Sequence, residues 1–265
     1  MSQPINLSPD FNSKQYNDHL YDHLHHFLVE TPVFINDEGI VYLTRHKDCL
    51  QLLSDPHYVR QRPGSKHPFS NKNSTPSVMD RMLSSWMIYS DPPKHTQLRN
   101  IFNPTFLPKN IQQFTPTIES ICLELISDIA NAPDEIELVS EFSYPLPVLV
   151  ICDLLGVPSS DRGLFKAWFL DITEATNTGN DDDIKKAEPT GLAICQYFQD
   201  LIVERQTQPR NDLISELVKN YLKDGELNKD ELIFNLVFLI YSGHETTKKT
   251  HLKWSAHINA SSRIF

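Results

Sequence analysis

The most informative segment of this sequence is Asn228-Lys-Asp-Glu-Leu-Ile-Phe-Asn-Leu-Val-Phe-Leu-Ile-Tyr-Ser-Gly-His-Glu-Thr-Thr247. Asn228 and Glu231 make a capping-box-like start to a helix. The run Leu232–Tyr241 is then apolar on nearly every side and is interrupted by Asn235, so we expect a buried helix at the centre of the fold. The helix leads directly into polar residues, which are costly to bury unless something uses them.

Two residues at the end of this helix could move protons. Glu245 is an acid next to the alcohol Thr246. Gly243 weakens the helix, and Thr246 can hydrogen-bond back to the carbonyl oxygen of Ser242. Both effects favour a bend or bulge at this turn. Such a pair could pass protons into a buried site; alternatively, the helix simply reaches the surface here. A zinc-protease motif is excluded, because Lys248 stands where H-E-x-x-H needs its second histidine.

A second segment, Asp91-Pro-Pro-Lys-His-Thr-Gln-Leu-Arg99, predicts a helix with proline in its first turn. His95 and Arg99 are four positions apart and therefore share a face of that helix. A pair of cations without an acid between them suits an anion such as a carboxylate. The alternative is that Asp91 pairs with His95 while solvent covers Arg99.

The charge of the chain bears on its partners. The 265 residues carry a net charge of -10, which speaks against nucleic acid as a partner because phosphate binding needs a basic face. The charge reverses late in the sequence. Residues 248–265 hold four basic residues and no acidic one, so all 34 acidic residues precede them.

The sequence also predicts a cellular compartment. The first residues contain no basic segment followed by an apolar one, so no secretory signal is expected. The longest nearly apolar run is too short to span a bilayer. The cysteines are far apart and form no C-x-x-C, which is typical of free thiols in a reducing compartment. We therefore expect a cytoplasmic protein with no membrane segment. The cysteines are Cys49, Cys122, Cys152 and Cys195.

The remaining patterns predict a mainly α protein with a small β-hairpin near the N-terminus. The hairpin spans 32–44, with a turn at 36–39 that ends in glycine. A patternless loop is expected at 59–80 and a polar connector at 177–183. Apolar periodicity and capping signals predict further helices. These are 16–28, 46–54, 111–130, 145–155, 161–173, 192–205 and 212–222.

Histidines in the first of these helices allow a metal-binding alternative. His19, His23 and His26 form a stripe at helical spacing, with His25 beside it. Paired histidines at this spacing can hold a metal ion. A solvated helix face is favoured over a metal site, because no cysteine or carboxylate cluster nearby completes a ligand set.

Three motifs in the right order together resemble the soluble, bacterial-type cytochrome P-450 superfamily. They are D-P-P-x-H-x-x-L-R at 91–99, L-L-G-V-P at 154–158 and G-H-E-T-T at 243–247. The resemblance covers roughly residues 30–247. It implies a haem-thiolate monooxygenase, which uses O2 to hydroxylate a small apolar molecule with electrons from a ferredoxin- or flavodoxin-like partner.

The resemblance assigns roles to individual residues. His95 and Arg99 match the positions that bond the haem propionates. Ser242 and Gly243 belong to the distal helix that crosses the haem face, where Ser242 replaces the usual alanine or glycine. Glu245 and Thr246 match the acid–alcohol pair that delivers protons during oxygen activation. The loop at 59–80 and the connector near 174–190 match the cover of the substrate pocket.

The sequence departs from the family in its second half. The axial cysteine belongs to an F-x-x-G-x-x-x-C-x-G-like loop, and none of the four cysteines has that context; E-x-x-R is also absent. We therefore expect an incomplete P-450 fold over 1–247, an aberrant basic tail over 248–265, and a chain that is truncated and inactive. The alternative is a non-catalytic helical binding protein with an anion site at His95 and Arg99.

Overall fold

The computed structural model describes residues 5–6, 13–37, 39–60, 75–131, 136–178, 181–222 and 227–243. The described part is mainly helical with a small sheet near the N-terminus, as the sequence predicts. It forms two compact units, one ending at Arg60 and one beginning after it. The helices are α1 (Lys14–Asp18), α2 (Leu20–Val29), α3 (His46–Ser54), α4 (Val78–Ser84), α5 (Lys94–Phe102), α6 (Pro108–Ile111), α7 (Thr115–Ala130), α8 (Pro145–Leu155), α9 (Arg162–Thr178), α10 (Asp181–Thr207), α11 (Leu213–Leu217) and α12 (229–243).

The first unit contains the predicted hairpin. Strand β2 (Val33–Ile35) pairs antiparallel with β3 (Val41–Leu43). Gly39 closes the turn with φ of 80°, a backbone conformation that glycine adopts without strain. A further strand, β1 (Ile5–Asn6), adds to β2 in parallel; nothing in the sequence pattern predicted it, because two residues carry no periodicity.

The histidine stripe lies in this first unit and shows no metal site. The expected helix 16–28 is divided at His19 into α1 and α2. The His23 ring stacks on Tyr16, with 4.8 Å between the ring centroids. Within the described ranges, no group of three or more His, Cys, Asp or Glu residues could hold a metal ion. The structure therefore favours the solvated helix face.

Helix α12 lies at the centre of the second unit, as its apolar sequence predicts. Leu232, Leu236 and Val237 are completely buried in its hydrophobic core. The predicted capping box is present. The Glu231 N–H donates to Asn228 Oδ1 at 2.8 Å, and the Asn228 N–H donates to Glu231 Oε2 at 3.4 Å. The start of α12 is thus fixed by local hydrogen bonds.

The predicted end of α8 is also observed, and it joins three helices. Gly156 ends α8 with φ of 81°. The buried Arg205 of α10 donates to the Gly156 carbonyl oxygen at 2.8 Å and to Asp212 Oδ2 at 2.6 Å. Asp212 Oδ1 accepts from the Ser215 N–H at 2.8 Å and so caps α11. One buried guanidinium therefore fixes the ends of α8, α10 and α11 together.

Part of the expected loop at 59–80 is helical. Residues 61–74 lie outside the described part, but α4 begins at Val78. Its first N–H groups, those of Val78 and Met79, donate to the Glu188 carboxylate at 2.8 and 2.9 Å. Glu188 belongs to α10, which begins eleven residues before the expected 192–205 helix. The start of α4 also carries a local capping box between Ser77 and Asp80, a sequence signal that the expected loop overlooked.

Candidate functional site

Helix α5 presents the two predicted cations. It begins at Lys94 rather than at the Asp91-Pro-Pro segment, with Pro93 as the residue before its first turn. Leu98 and Phe102 face the core, whereas His95 is half-buried and Arg99 is exposed. The two cationic side chains follow each other by four positions on one helix face, as predicted.

Neither cation is neutralised by the part of the chain that the structure describes. His95 and Arg99 form no ion pair and no side-chain hydrogen bond with those residues, so the alternative pairing of Asp91 with His95 is not observed there. The neighbouring Lys94 behaves differently, because its ammonium group pairs with Glu231 of α12. An arginine and a histidine that lack an acidic partner favour an anionic ligand.

Asn235 connects α12 to the segment that leads into α5. This fully buried side chain accepts a hydrogen bond from the Met87 N–H at 2.9 Å. Its Nδ2 donates to the carbonyl oxygen of Glu231 at 2.9 Å and to that of Ser85 at 3.3 Å. The one polar residue within the apolar run of α12 therefore positions the chain just before the cation pair.

Aromatic side chains surround α12 shortly before its polar end. Trp86 packs on Phe238 and Tyr241, with ring centroids 5.4 and 5.2 Å apart. The Tyr241 hydroxyl hydrogen-bonds with Thr176 Oγ1 of α9 at 2.8 Å. The indole N–H of Trp86 is buried without a hydrogen-bond partner in the structure. Sequence reasoning missed this cluster, because Trp86 lies next to a segment without periodicity.

Helix α12 continues through the two small residues of the predicted distal turn. Ser242 Oγ donates to the Leu239 carbonyl oxygen at 3.2 Å. A Cβ on Gly243 would lie 3.6 Å from Ile151 Cδ1, an ordinary contact distance, so packing against α8 does not require glycine there. Glu245 and Thr246 lie outside the described residues, so their proton-transfer role stays a prediction.

The cysteines are poor candidates for a thiolate ligand. Burial raises the pKa of the Cys152 thiol to about 12, and burial also raises that of Cys195 to about 12. Both thiols therefore stay protonated near neutral pH, whereas a metal needs the thiolate. Cys49 and Cys122 are half-buried on α3 and α7. None of the four follows the sequence pattern of an axial-ligand loop.

A haem needs partners for its carboxylates, for its face and for its iron. Unpaired His95 and Arg99 are suitable hydrogen-bond donors for two carboxylates. On α12, the Cβ position of Gly243 faces Ile151 of α8. No described cysteine meets the requirements of an axial thiolate. That His95 and Arg99 hold the carboxylate edge of a haem, and that Ser242 and Gly243 border its face, stays a prediction.

A separate polar cleft of about 590 Å³ lies in the second unit. It runs between the segment before α7 and the segment around α11. It contains none of the predicted site residues, and four of the side chains that line it are Asn110, Gln113, Arg210 and Lys219. The cleft therefore gives no support to the predicted haem site.

Relatives in sequence are cytochromes P-450. The chain is 36% identical over 197 residues to YjiB of Bacillus subtilis (strain 168), a candidate cytochrome P-450; the match covers 71% of this chain and 48% of YjiB. It is 32% identical over 202 residues to 6-deoxyerythronolide B hydroxylase of Saccharopolyspora erythraea, covering 75% of this chain and 48% of the hydroxylase. The chain thus spans about half the length of these curated relatives. No protein-family model matches it.

Comparison of the fold with solved structures also indicates a cytochrome P-450. A myxobacterial cytochrome P-450 in complex with myristic acid superposes with a TM-score of 0.77 and 26% identity, over 91% of this chain and 60% of that one. In the part of the chain that is described, no helix is both long and apolar enough to cross a membrane. The order of the three motifs, the central helix and these matches agree on one family: the chain belongs to the bacterial-type cytochrome P-450 superfamily, of which it carries an incomplete fold.

Proposed function

We propose that this chain forms the haem-carboxylate and distal part of a haem-thiolate monooxygenase. Such an enzyme inserts one oxygen atom of O2 into a small apolar molecule, with electrons from a ferredoxin- or flavodoxin-like donor. The observation that carries the proposal is the unneutralised pair His95 and Arg99 on α5, in the same unit as the distal helix α12. The name of one relative, a hydroxylase, supports the reaction class.

Each proposed site residue has one task. His95 and Arg99 donate hydrogen bonds to the haem propionates and fix the orientation of the cofactor. Ser242 and Gly243 keep the turn of α12 narrow, so that its backbone can lie against the haem face. Glu245 and Thr246 would carry protons to the oxygen-binding side, with the protonated Glu245 carboxyl group as the proton source and the Thr246 hydroxyl as the relay. The haem, when bound, supplies the oxygen-activating chemistry.

We also propose that the 265-residue chain does not perform this reaction by itself. The raised pKa of Cys152 and Cys195 keeps both as thiols, and Cys49 and Cys122 lie in helices without the motif of an axial ligand. Oxygen activation in this family depends on a thiolate that donates electron density to the iron. Haem held only at its carboxylate edge would lack that ligand.

A spectrum of the purified chain with added haem tests these proposals. The reduced, CO-bound difference spectrum is expected to lack the Soret band of a thiolate-ligated haem, while the unreduced sample still shows bound haem. A normal thiolate-type band would contradict the proposed inactivity. Absence of any haem binding would contradict the proposed role of His95 and Arg99.

The unneutralised cations also support a second function, a non-catalytic helical binding protein with an anion site on α5. The two functions predict different ligands for the site on α5. A dicarboxylate such as succinate, titrated without haem, binds tightly only in the second case. Loss of that binding in the His95→Ala, Arg99→Ala double variant would assign it to α5. Tight binding of haem and weak binding of succinate would favour the monooxygenase part.

A further inference from the structure

The polar cleft of the second unit contains none of the proposed haem residues and has no role in the proposed reaction. Its volume of about 590 Å³ lies within the range of about 300–1,000 Å³ that small-molecule sites occupy. One wall comes from residues 105–114, before α7, and the other from residues 209–220, around α11. Because two segments far apart in sequence form it, the cleft is a feature of the tertiary fold and not a groove within one loop.

Hydrogen bonds hold both walls of the cleft in place. On the first wall, Asn110 Nδ2 donates to the Pro104 carbonyl oxygen at 2.7 Å. On the second, the Asp212 carboxylate accepts from the buried Arg205 guanidinium at 2.6 Å and from the Ser215 N–H at 2.8 Å. A ligand would therefore meet walls that need little reorganisation, which reduces the entropic cost of binding.

Carboxamide groups with unused hydrogen-bonding capacity line both walls. The side chains of Gln113 on the first wall and of Asn211 and Asn220 on the second form no hydrogen bond with the described residues. Each carboxamide can both donate and accept. Lys219 and Asn220 lie in a π-helical turn, Val218–Leu222, that directly follows α11, and such turns are rare and recur at functional sites. The cleft therefore suits a ligand whose groups both donate and accept hydrogen bonds.

The charges of the cleft favour a neutral ligand. Two cations and two acids line it, so the charge of the lining is balanced; they are Arg210, Lys219, Asp212 and Glu216. Arg210 is in addition paired with Glu204. An anion in the cleft would approach the two carboxylates, and a cation would approach the guanidinium and ammonium groups, each at a cost in Coulomb energy. An apolar molecule would deprive the polar groups of water without giving them partners.

An aromatic side chain completes the lining. Phe114 is half-buried at the end of the first wall and offers an apolar surface next to the carboxamides. We propose that the cleft is a binding site for a neutral sugar. The hydroxyl groups of a sugar each donate and accept hydrogen bonds, as the carboxamides do, and the C–H face of its ring is apolar and can pack on Phe114. The site does not depend on the proposed monooxygenase function, because it shares no residue with it.

Titration of the full 265-residue chain with D-glucose, in the absence of haem, tests the proposal. Saturation-transfer NMR detects the bound sugar, and the titration gives its affinity. Glucuronate and glucosamine keep the ring and most of its hydroxyl groups but carry a negative and a positive charge, respectively. We expect each to bind at least about threefold more weakly than glucose, because the lining already balances its own charges.

Variants at the two walls assign the binding to the cleft. The Gln113→Ala, Asn220→Ala double change removes one carboxamide from each wall and should weaken glucose binding at least about tenfold. Asn211→Ala, a single change outside the helices, should weaken it several-fold. The substituted side chains are exposed, so circular dichroism should show unaltered helix content in every variant.

Gln112→Ala is the matched control. Gln112 is exposed in the same short turn as Gln113, Gln112–Phe114, but it does not line the cleft, so this variant should bind glucose like the unchanged chain. Absence of glucose binding overturns the proposal, and so does equal binding by the double variant and the unchanged chain. Tighter binding of glucuronate or glucosamine than of glucose also overturns it, because the cleft would then be a site for a charged ligand.

Discussion

The side-chain oxygen of Asn235 accepts a hydrogen bond from the backbone N–H of Met87 at 2.9 Å, in the interior of the second unit. The two residues belong to α12 and to the segment before α5, which are far apart in sequence. The same side chain donates to the Glu231 carbonyl oxygen within its own helix. This amide therefore links the buried helix to the segment that carries His95 and Arg99.

Replacing Asn235 with leucine should destabilise the second unit. The Met87 N–H would stay buried without an acceptor, which costs about 1–3 kcal/mol in the free energy of unfolding. Urea denaturation followed by circular dichroism measures the change. Asn131→Ala removes an exposed amide that bonds only to Ser127 and should change stability by less than about 0.5 kcal/mol. Equal effects of the two variants would contradict the anchoring role of Asn235.

A methyl group at Gly156 should be poorly tolerated for two reasons. The residue has φ of 81°, and a Cβ there would overlap the Asp212 carboxylate that binds Arg205. The backbone strain alone costs about 1–2 kcal/mol, and displacing Asp212 from a buried guanidinium adds to it. Gly156→Ala should therefore lower the free energy of unfolding by more than about 2 kcal/mol.

Gly163 in α9 is the matched control for this substitution. It has no left-handed backbone, and a Cβ there would meet no atom within 4 Å. Gly163→Ala should leave stability unchanged or raise it by up to about 1 kcal/mol, since alanine is the better helix former. Comparable losses in the two alanine variants would show that the contact between Gly156 and Asp212 does not limit stability.

These features differ in how far the sequence could reveal them. The capping box at Asn228 and the end of the helix 145–155 were predicted, because their signals involve residues within a few positions of one another. Helix α4 was missed although its Ser77–Asp80 capping box is local; only the added Glu188 contact from α10 depends on tertiary structure. Strand β1 was missed because it has only two residues and its partner β2 lies more than twenty residues away.

The candidate site also combines features that local sequence reveals with features that depend on how distant segments pack. His95 and Arg99 share one helix face through local spacing, so the sequence sufficed to pair them. The buried indole N–H of Trp86 and its contact with Tyr241 depend on how α12 packs against the preceding segment. The role of Asn235 as a hydrogen-bond acceptor was equally invisible, because only its polarity within an apolar run could be read.

The thiols should differ in reactivity according to burial. With a pKa of about 12, Cys152 and Cys195 hold their protons at pH 8, whereas the thiolate is the reactive form. Iodoacetamide should therefore modify Cys49 and Cys122 first, and mass spectrometry of peptides identifies the sites. In urea all four should react at similar rates. Rapid modification of Cys152 in the folded protein would contradict its burial.

The same raised pKa gives the direction of a pH effect on stability. The folded state keeps the protons of Cys152 and Cys195 to a higher pH than the unfolded state, whose thiols have the ordinary value of 9.0. This contribution to stability is complete below pH 9 and is lost as the pH rises towards 12. The midpoint urea concentration should fall across that range, and less so in Cys152→Ala.

The cation pair on α5 should matter for haem binding and not for folding. His95 and Arg99 have no ionic partner in the described part of the chain, so their double alanine variant should keep its stability within about 0.5 kcal/mol. A hydrogen bond to a charged group contributes about 1.5–3 kcal/mol, so haem affinity should fall at least about tenfold. Quenching of tryptophan fluorescence during haem titration measures the affinity.

Lys94→Ala, on the same helix, is the matched control. It removes a cation that Glu231 already neutralises and should leave haem affinity unchanged. An equal loss of affinity in that variant would show that general positive charge, rather than His95 and Arg99, attracts the haem.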